Sequence, residues 1–142
     1  MSEPWSSGKV VFVCAHGNAK SLIASSWFNR LAGERGIAAR SLARGLTPEN
    51  PVPAAIAERL RREGIEVTGF EARPLTPTEL DGPARLVLIG VQAPPWASRG
   101  GLEVETWDGV PPASENYEAS RDALRTRIET LLEDLAEGER RP

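Results

Sequence analysis

The sequence predicts an α/β fold: a single domain in which a four-stranded parallel β-sheet carries helices on both faces. Short apolar runs recur along the chain, and most are followed by a segment whose apolar residues return at three- and four-residue spacing. Strands that alternate with helices pair in parallel through crossover connections. Because 142 residues suit one such domain, we expect it to span residues 1–142, with residues 1–8 and 138–142 as flexible tails.

The first predicted strand leads into a loop and then a helix. Residues 9–13 are β-branched and aromatic apart from Lys9, which is typical of a buried strand. Residues 14–20 form the loop. Gly36 can end the helix in the left-handed conformation. The apolar face of that helix consists of Leu22, Ile23, Trp27, Phe28 and Leu31.

The middle of the chain predicts a second strand and two further helices. Residues 38–43, closed by Gly45, form the strand. The proline-rich stretch at residues 50–53 opens a helix that turns Ile56 and Leu60 inward and stops near Gly64. Residues 76–79, Thr-Pro-Thr-Glu, have the pattern of a capping box, so a short helix is expected to begin there.

The last third predicts two strands and the final helix. Residues 86–89 are a continuous apolar strand, and the alternation over residues 102–107 indicates a strand nearer the sheet edge. Charged residues from Glu137 onward are expected to fray. The face of the final helix consists of Leu124, Ile128, Leu131 and Leu135. Because carboxyl ends of parallel strands meet at one edge of a sheet, the loops at 14–20 and 108–113 should share a rim, where such folds bind ligands.

Composition excludes several classes of function. Seventeen basic against twenty acidic residues give a net charge of −3, so nothing global favours binding to nucleic acid or to an anionic membrane. No run reaches the roughly 20 apolar residues of a membrane span. The polar N-terminus does not look like a secretory signal, so we expect a cytoplasmic protein. Cys14 is the only cysteine, which excludes an internal disulfide and a cysteine-rich zinc site, and we predict no metal and no cofactor.

The loop after the first strand has the composition of an anion-binding site. Small residues between a strand and a helix start allow backbone N–H groups to turn inward, where the helix dipole reinforces them. The same field favours the thiolate of Cys14 over the thiol. Lys20 adds positive charge and Ser21 a hydroxyl donor, and these are the groups that attack on phosphorus requires. The predicted phosphate-binding residues are Ala15, His16, Gly17, Asn18, Ala19 and Lys20.

Less specific interpretations of these residues also exist. A cysteine that closes a buried strand is usually a small core residue, but its place before a loop of small residues favours a nucleophile. A single loop histidine such as His16 more often faces solvent. The pair Lys20-Ser21 also ends the pattern of a nucleotide-binding loop, but the two glycines which that loop requires would fall at Cys14 and Ala19. We therefore reject a nucleotide-binding loop.

Cys14 to Ser21 resembles the C-x5-R-S signature of the low-molecular-weight protein tyrosine phosphatases and of the arsenate reductases that share their fold. The resemblance covers nearly the whole chain. It includes the strand before Cys14, Gly45 after the second strand, the stretch "FEARPLT" at residues 70–76 and "WDGVPPA" at residues 107–113. It implies the low-molecular-weight phosphatase fold, with Cys14 as nucleophile and Ser21 as its hydroxyl partner.

Three positions depart from the pattern of the family. Lys20 stands where the family has arginine, so transition-state oxygens would be held by a point charge and not by a planar two-pronged donor. Gly17 stands at the position of the family's asparagine, with Asn18 one place later. Pro111 stands at the position of the acidic proton donor and cannot donate, so Asp108 is the nearest replacement, although a turn-forming role before Gly109 is equally compatible.

The leading hypothesis is a cysteine-dependent phosphatase of this class, slow or specialised, that acts on a phosphorylated substrate through a phosphocysteine intermediate. One alternative is a non-catalytic module that binds phosphate or another oxyanion. The other is an arsenate reductase that depends on an external thiol, because the chain has no second cysteine. Trp107, Tyr117 and Trp96 either form an aromatic wall for a phosphotyrosine ring or cover the edge of the core. We expect a monomer or a weak homodimer.

Overall fold

The computed structural model describes residues 9–81, 84–97 and 102–140, without the side chains of residues 139 and 140. It contains the predicted four-stranded parallel sheet, in the order β2-β1-β3-β4. The strands are β1 (Lys9–Cys14), β2 (Arg40–Gly45), β3 (Ala84–Ile89) and β4 (Glu103–Trp107). The predicted tail at residues 1–8 lies outside the described residues, and the extent of the domain stays a prediction.

Over the described ranges, three α-helices and two short 3₁₀ helices connect or follow the strands. They are α1 (Lys20–Glu34), α2 (Ala54–Arg62) and α3 (Tyr117–Arg140), with 3₁₀ helices at Pro77–Leu80 and Pro95–Ala97. The helix after Thr76 is therefore 3₁₀, and its capping box is present, since the Thr76 N–H donates to Glu79 Oε1 at 2.7 Å. Gly36 has the expected positive φ of 66°.

Two element ends differ from the sequence prediction. Strand β2 begins at Arg40 and runs to Gly45, because it pairs residue by residue with β1 from Lys9 to Cys14. Helix α3 continues to Arg140, through the charged residues from Glu137 that were expected to fray. Leu131, Leu132 and Leu135 hold this part of the helix in the core, and Glu and Arg are good helix formers.

The core lies on both faces of the sheet. On one face, Phe12 packs among buried side chains of α1 and α3, such as Phe28 and Leu132. On the other face, Leu86 packs with Leu80 and Ala97 from the two 3₁₀ helices. Helical elements thus cover both faces as predicted. Within the described ranges, no helix is long and apolar enough to cross a membrane.

The edge strand β4 buries only its last residue. Residues 103–106 are exposed, Val104 included, whereas Trp107 is 2% exposed with its ring centre 5.5 Å from that of Phe12. The alternation of the sequence indicated the edge position correctly but not the side chain that enters the core. An edge strand pairs with one neighbour and faces solvent on its other edge. A single large side chain is enough to hold such a strand against the core, and in β4 it is the Trp107 indole.

Helix α2 is tied to α1 and α3 through the carboxylate of Glu63, which directly follows it. Glu63 Oε1 accepts hydrogen bonds from Trp27 Nε1 at 3.3 Å and from the Tyr117 hydroxyl at 2.8 Å, and Glu63 Oε2 pairs with Arg121 at 2.6 Å. Burial, followed by the hydrogen bond to Glu63, raises the pKa of Tyr117 well above its ordinary value. Besides this network, α2 is anchored by buried Ile56 and Leu60.

Candidate active site

The loop between β1 and α1 is folded tightly against the end of β2. Gly17 has a φ of 70°, a conformation that residues with a Cβ rarely adopt. Its backbone also touches that of Gly45, because a Cβ atom on Gly17 would lie 2.8 Å from the Gly45 nitrogen. The loop therefore needs glycine at both positions.

The segment that follows β2, residues 46–50, forms hydrogen bonds with carbonyls of the loop, and we call this segment the strap. N–H groups of the strap donate to three consecutive carbonyls: Leu46 to Cys14 at 3.2 Å, Thr47 to Ala15 at 2.8 Å and Glu49 to His16 at 3.1 Å. The Asn18 amide donates back to the Glu49 carbonyl at 3.0 Å. Among the described residues, by contrast, no backbone N–H from Ala15 to Lys20 donates to a protein acceptor. Such a run of unpaired amides at a helix start is a ready anion site.

Cys14 and Ser21 are brought together at the base of this loop. The Ser21 N–H donates to Cys14 Sγ at 3.4 Å, and the two side chains hydrogen-bond at 3.1 Å between Sγ and Oγ. Cys14 is 5% exposed and Ser21 is fully buried. Since Ser21 lies in the first turn of α1, the sulfur also lies near the positive end of the helix dipole.

Lys20 extends from the helix start over the end of β3. A Cβ atom on Gly90 would lie 3.4 Å from Lys20 Nζ, which places the ammonium beside that turn. Lys20 forms no ion pair with any residue that the structure describes, so its charge is available to a ligand. Arginine supplies 15 of the 17 basic residues of the chain, and lysine occurs only at positions 9 and 20. A general preference of this chain for lysine therefore does not explain the lysine in the loop.

The side chains of His16 and Asn18 point to the strap. The imidazole of His16 is half exposed and lies 3.4 Å from a carboxylate oxygen of Glu49. Asn18 is nearly buried and braces the loop through its bond to the Glu49 carbonyl. Both residues thus support the loop through their side chains, and Ala19 packs partly buried against the core.

A cavity of about 610 Å³ lies beside the helix start. This volume is within the range of small-molecule sites. Its wall combines small apolar side chains with charged ones. The lining residues are Ala19, Lys20, Pro53, Ala55, Ile56, Glu58, Arg59, Arg62, Pro112, Ala113, Ser114, Glu115 and Tyr117.

Asp108 does not line this cavity. Its side chain is exposed after the end of β4, and its carbonyl accepts a hydrogen bond from Arg127 at 3.0 Å. It lines a different depression, of about 530 Å³, together with Gly90 and Thr106. The structure therefore places Cys14 and Ser21 in direct contact, and it places Lys20 Nζ beside Gly90, which lines the same depression as Asp108.

Of the three candidate wall aromatics, only Tyr117 lines the cavity beside Lys20. Tyr117 is itself 7% exposed, and the Arg59 guanidinium lies 4.9 Å from its ring centre. Trp107 is buried in the core, and Trp96 belongs to a 3₁₀ helix on the opposite face of the sheet. The interpretation of Trp107 as a cover for the core edge is therefore the correct one.

Three charged residues that the sequence did not indicate also line the cavity: Glu115, Arg59 and Arg62. Glu115 lies two residues beyond the stretch "WDGVPPA" and directly before Asn116, whose Oδ1 accepts a hydrogen bond from the Ala119 N–H at 3.0 Å and so caps α3. The asparagine was a visible helix-start signal. Within the described part of the chain, no three His, Cys, Asp or Glu side chains are grouped so that they could hold a metal ion.

Solved structures of three related proteins share this fold. A thioredoxin-dependent arsenate reductase from Corynebacterium glutamicum superposes with a TM-score of 0.78 at 20% identity, over 97% of this chain and 65% of the reductase. A low molecular weight protein tyrosine phosphatase from T. tengcongensis superposes with a TM-score of 0.70 at 23% identity, over 89% of this chain and 99% of the phosphatase. The YwlE arginine phosphatase from Geobacillus stearothermophilus superposes with a TM-score of 0.75 at 19% identity, over 95% of this chain and 98% of the arginine phosphatase. Identities this low show the fold alone, and the chain spans just under two thirds of that reductase.

The sequence itself matches a family. No curated protein sequence matches the chain. Residues 9–90, however, match the family model described as low molecular weight phosphotyrosine protein phosphatase, which is more than half of the chain. Together with the parallel sheet and the loop at Cys14, this match means that the chain belongs to the low molecular weight phosphotyrosine protein phosphatase family.

Proposed function

We propose that the protein is a cysteine-dependent phosphomonoester hydrolase that acts slowly through a phosphocysteine intermediate. The observation that carries this proposal is the position of Cys14 Sγ, which lies 3.1 Å from the Ser21 hydroxyl at the start of a loop with unpaired amides. Membership of the family supports the same class of reaction.

The first half of the reaction forms a bond between sulfur and phosphorus. Once Cys14 has lost its proton, the hydroxyl and the amide of Ser21 both donate to the thiolate and stabilise it. The sulfur attacks phosphorus, the bond from phosphorus to the leaving oxygen breaks, and that oxygen takes up a proton from an acid or from water, so that an alcohol departs. Charge on the equatorial phosphoryl oxygens is met by N–H groups from Ala15 to Lys20 and by the Lys20 ammonium.

The second half regenerates the thiolate. A water molecule attacks phosphorus, the sulfur–phosphorus bond breaks, and inorganic phosphate leaves. Ser21 again donates to the sulfur as it regains negative charge. The strap hydrogen-bonds to the carbonyls of residues 14–16, which should restrain the loop during this cycle.

Lys20 is the reason to expect slow turnover. A lysine ammonium attracts the phosphoryl group but cannot hold two of its oxygens in one plane, as the forked donors of arginine do. Binding should therefore be retained better than the rate of the chemical step. Pro111 cannot give the leaving oxygen its proton, and Asp108, which the sequence suggests instead, does not line the 610 Å³ cavity beside the helix start.

A non-catalytic oxyanion-binding module is the second candidate. It is favoured because the two family residues that matter most for turnover are replaced in this chain. Lys20 stands in place of the arginine, and Pro111 stands in place of the acidic proton donor. Arsenate reduction is a third candidate, for which the single cysteine requires an external thiol as reductant.

The test compares wild type with Cys14→Ser and Cys14→Ala in hydrolysis of p-nitrophenyl phosphate, with circular dichroism to verify that all three are folded. The proposal predicts phosphate release by wild type and none by either variant. Equal release by the variants would contradict it. If wild type releases no phosphate but binds it in calorimetry, the binding module is supported, whereas arsenite formation with an added dithiol would support the reductase.

A further inference from the structure

We propose that Glu115 is the proton donor to the leaving oxygen, in the place that Pro111 cannot fill. This assignment rests on the proposed hydrolase function and identifies the residue that completes its first step. It follows from which carboxylates the fold places in the cavity beside Lys20.

Glu115 lines the same cavity as Lys20 and Ala19. Its backbone position is fixed by a turn, since the Glu115 N–H donates to the Pro112 carbonyl at 3.1 Å, and the next residue caps α3. A phosphorylated group that enters this cavity with its phosphate toward the loop therefore has the helix start on one side and Glu115 on the wall formed by residues 112–117.

The other carboxylate on the cavity wall is already engaged. Glu58 Oε1 accepts hydrogen bonds from Arg61 at 2.7 Å and from Arg62 at 3.1 Å. The hydrogen bond from Arg61 is the main cause that lowers the pKa of Glu58, which keeps this carboxyl ionised and makes it a poor proton donor. Glu115, by contrast, forms no ion pair with the residues that the structure describes.

The remaining candidate, Asp108, does not line this cavity, and its own depression is bounded by Gly90, which lies beside Lys20 Nζ. It is exposed in the depression with Thr106 and Gly90, whereas the loop that starts at Asp108 reaches the cavity only at Pro112. The family's loop after the last strand thus still brings a carboxylate to the cavity, but from a position further along the chain.

Glu115 acts as the acid in the first half of the reaction and as the base in the second. As Cys14 Sγ forms its bond to phosphorus, the protonated Glu115 carboxyl gives its proton to the leaving oxygen, and an alcohol departs. Glu115, now a carboxylate, then takes a proton from the water that attacks the phosphocysteine, and the sulfur–phosphorus bond breaks. Phosphate leaves, and both the Cys14 thiolate and the Glu115 acid are restored.

The experiment compares two substrates that differ only in the leaving group: p-nitrophenyl phosphate, whose phenol departs without a proton, and phenyl phosphate, whose phenol needs one. Wild type, Glu115→Gln and Asp108→Asn are measured, with Glu133→Gln as a matched control because Glu133 is exposed on α3 away from the cavity. We expect Glu115→Gln to lower the rate for phenyl phosphate about a hundredfold, since general acids contribute roughly that much or more, and to change the rate for p-nitrophenyl phosphate little.

Two results would overturn the assignment while leaving the hydrolase function intact. One is a ratio of the two rates that stays at the wild-type value in Glu115→Gln, and the other is a ratio that changes in Asp108→Asn instead. If wild type hydrolyses neither substrate, the proposed function itself fails, and the role of Glu115 fails with it.

Discussion

Gly17 and Gly45 are in backbone contact, with no room for a side chain on either residue. A Cβ atom on Gly45 would lie 2.7 Å from the Gly17 nitrogen, and one on Gly17 would lie 2.8 Å from the Gly45 nitrogen. This contact fixes the anion-binding loop to the end of β2 at the point where the strap begins. The conformation of the loop thus depends on a residue 28 positions away along the chain.

Replacing Gly45 with alanine should therefore displace the loop. Overpacking of this kind typically costs about 1–3 kcal/mol of stability, and here it should also lower phosphate affinity and turnover. Gly33→Ala is the control, because a Cβ atom there meets nothing within 4 Å and alanine favours α1, with an expected gain of up to about 1 kcal/mol. Urea denaturation and phosphate calorimetry measure both effects. Unchanged phosphate binding by Gly45→Ala would show that the contact does not shape the loop.

Lys20→Arg should raise turnover about tenfold or more, because a guanidinium can hold two phosphoryl oxygens at once and one good charged hydrogen bond contributes about 1.5–3 kcal/mol. The comparison is kcat against KM with p-nitrophenyl phosphate. Lys9→Arg makes the same substitution at the start of β1, away from the loop, and should leave both parameters unchanged. A fall in kcat for Lys20→Arg would mean that the ammonium makes a contact which arginine cannot reproduce.

Two fully buried serines should respond in opposite ways to substitution by alanine. Ser21→Ala removes the hydroxyl that lies 3.1 Å from Cys14 Sγ, so turnover should fall about tenfold to a hundredfold, as expected for a bond to a charged group. The Ser120 hydroxyl has no hydrogen-bond partner within the part of the chain that is described, so Ser120→Ala should raise stability by roughly 1 kcal/mol and leave turnover unchanged. Equal turnover in the two variants would argue against a role for Ser21 in the reaction.

Tyr117 makes the fold sensitive to alkali. Its raised pKa means that above about pH 10 an unfolded chain loses the phenol proton while the folded chain keeps it, so the free energy of unfolding should fall as pH rises past that value. Tyr117→Phe, which has no proton to lose, should show a smaller fall between neutral and alkaline pH. Since Tyr117 is the only tyrosine, tyrosinate absorbance reports on it directly. Tyrosinate that forms near pH 10 in a chain whose tryptophan fluorescence is still native would contradict this account.

The sheet could be predicted because its signals are local. The buried runs in β1 and β3 and the positive-φ glycine after α1 follow from residue type alone, and the structure has them where the sequence placed them. The residues that an edge strand buries do not follow from residue type alone, because they depend on which neighbour lies opposite. Val104 and Trp107 show this, since the smaller residue is exposed and the larger one is in the core.

The candidate site could be predicted only in part for the same reason. Cys14, Lys20 and Ser21 lie within eight residues, so their proximity follows from a strand, a turn and a helix start. The strap that holds the loop acts through backbone N–H groups, which have no signature of residue type. Whether Asp108 or Glu115 reaches the cavity depends on the path of the loop between β4 and α3, which the fold of the whole chain decides.

The most direct test of the central claim is to look for the phosphocysteine itself. Wild type is mixed with p-nitrophenyl phosphate, quenched in acid within the first turnovers, digested and measured by mass spectrometry, with Cys14→Ser treated in parallel. The account predicts that the peptide containing Cys14 gains the mass of one phosphoryl group in wild type and that Cys14→Ser releases no phosphate. Phosphate release by wild type with this peptide unmodified at every quench time, or release that persists in Cys14→Ser, would contradict it.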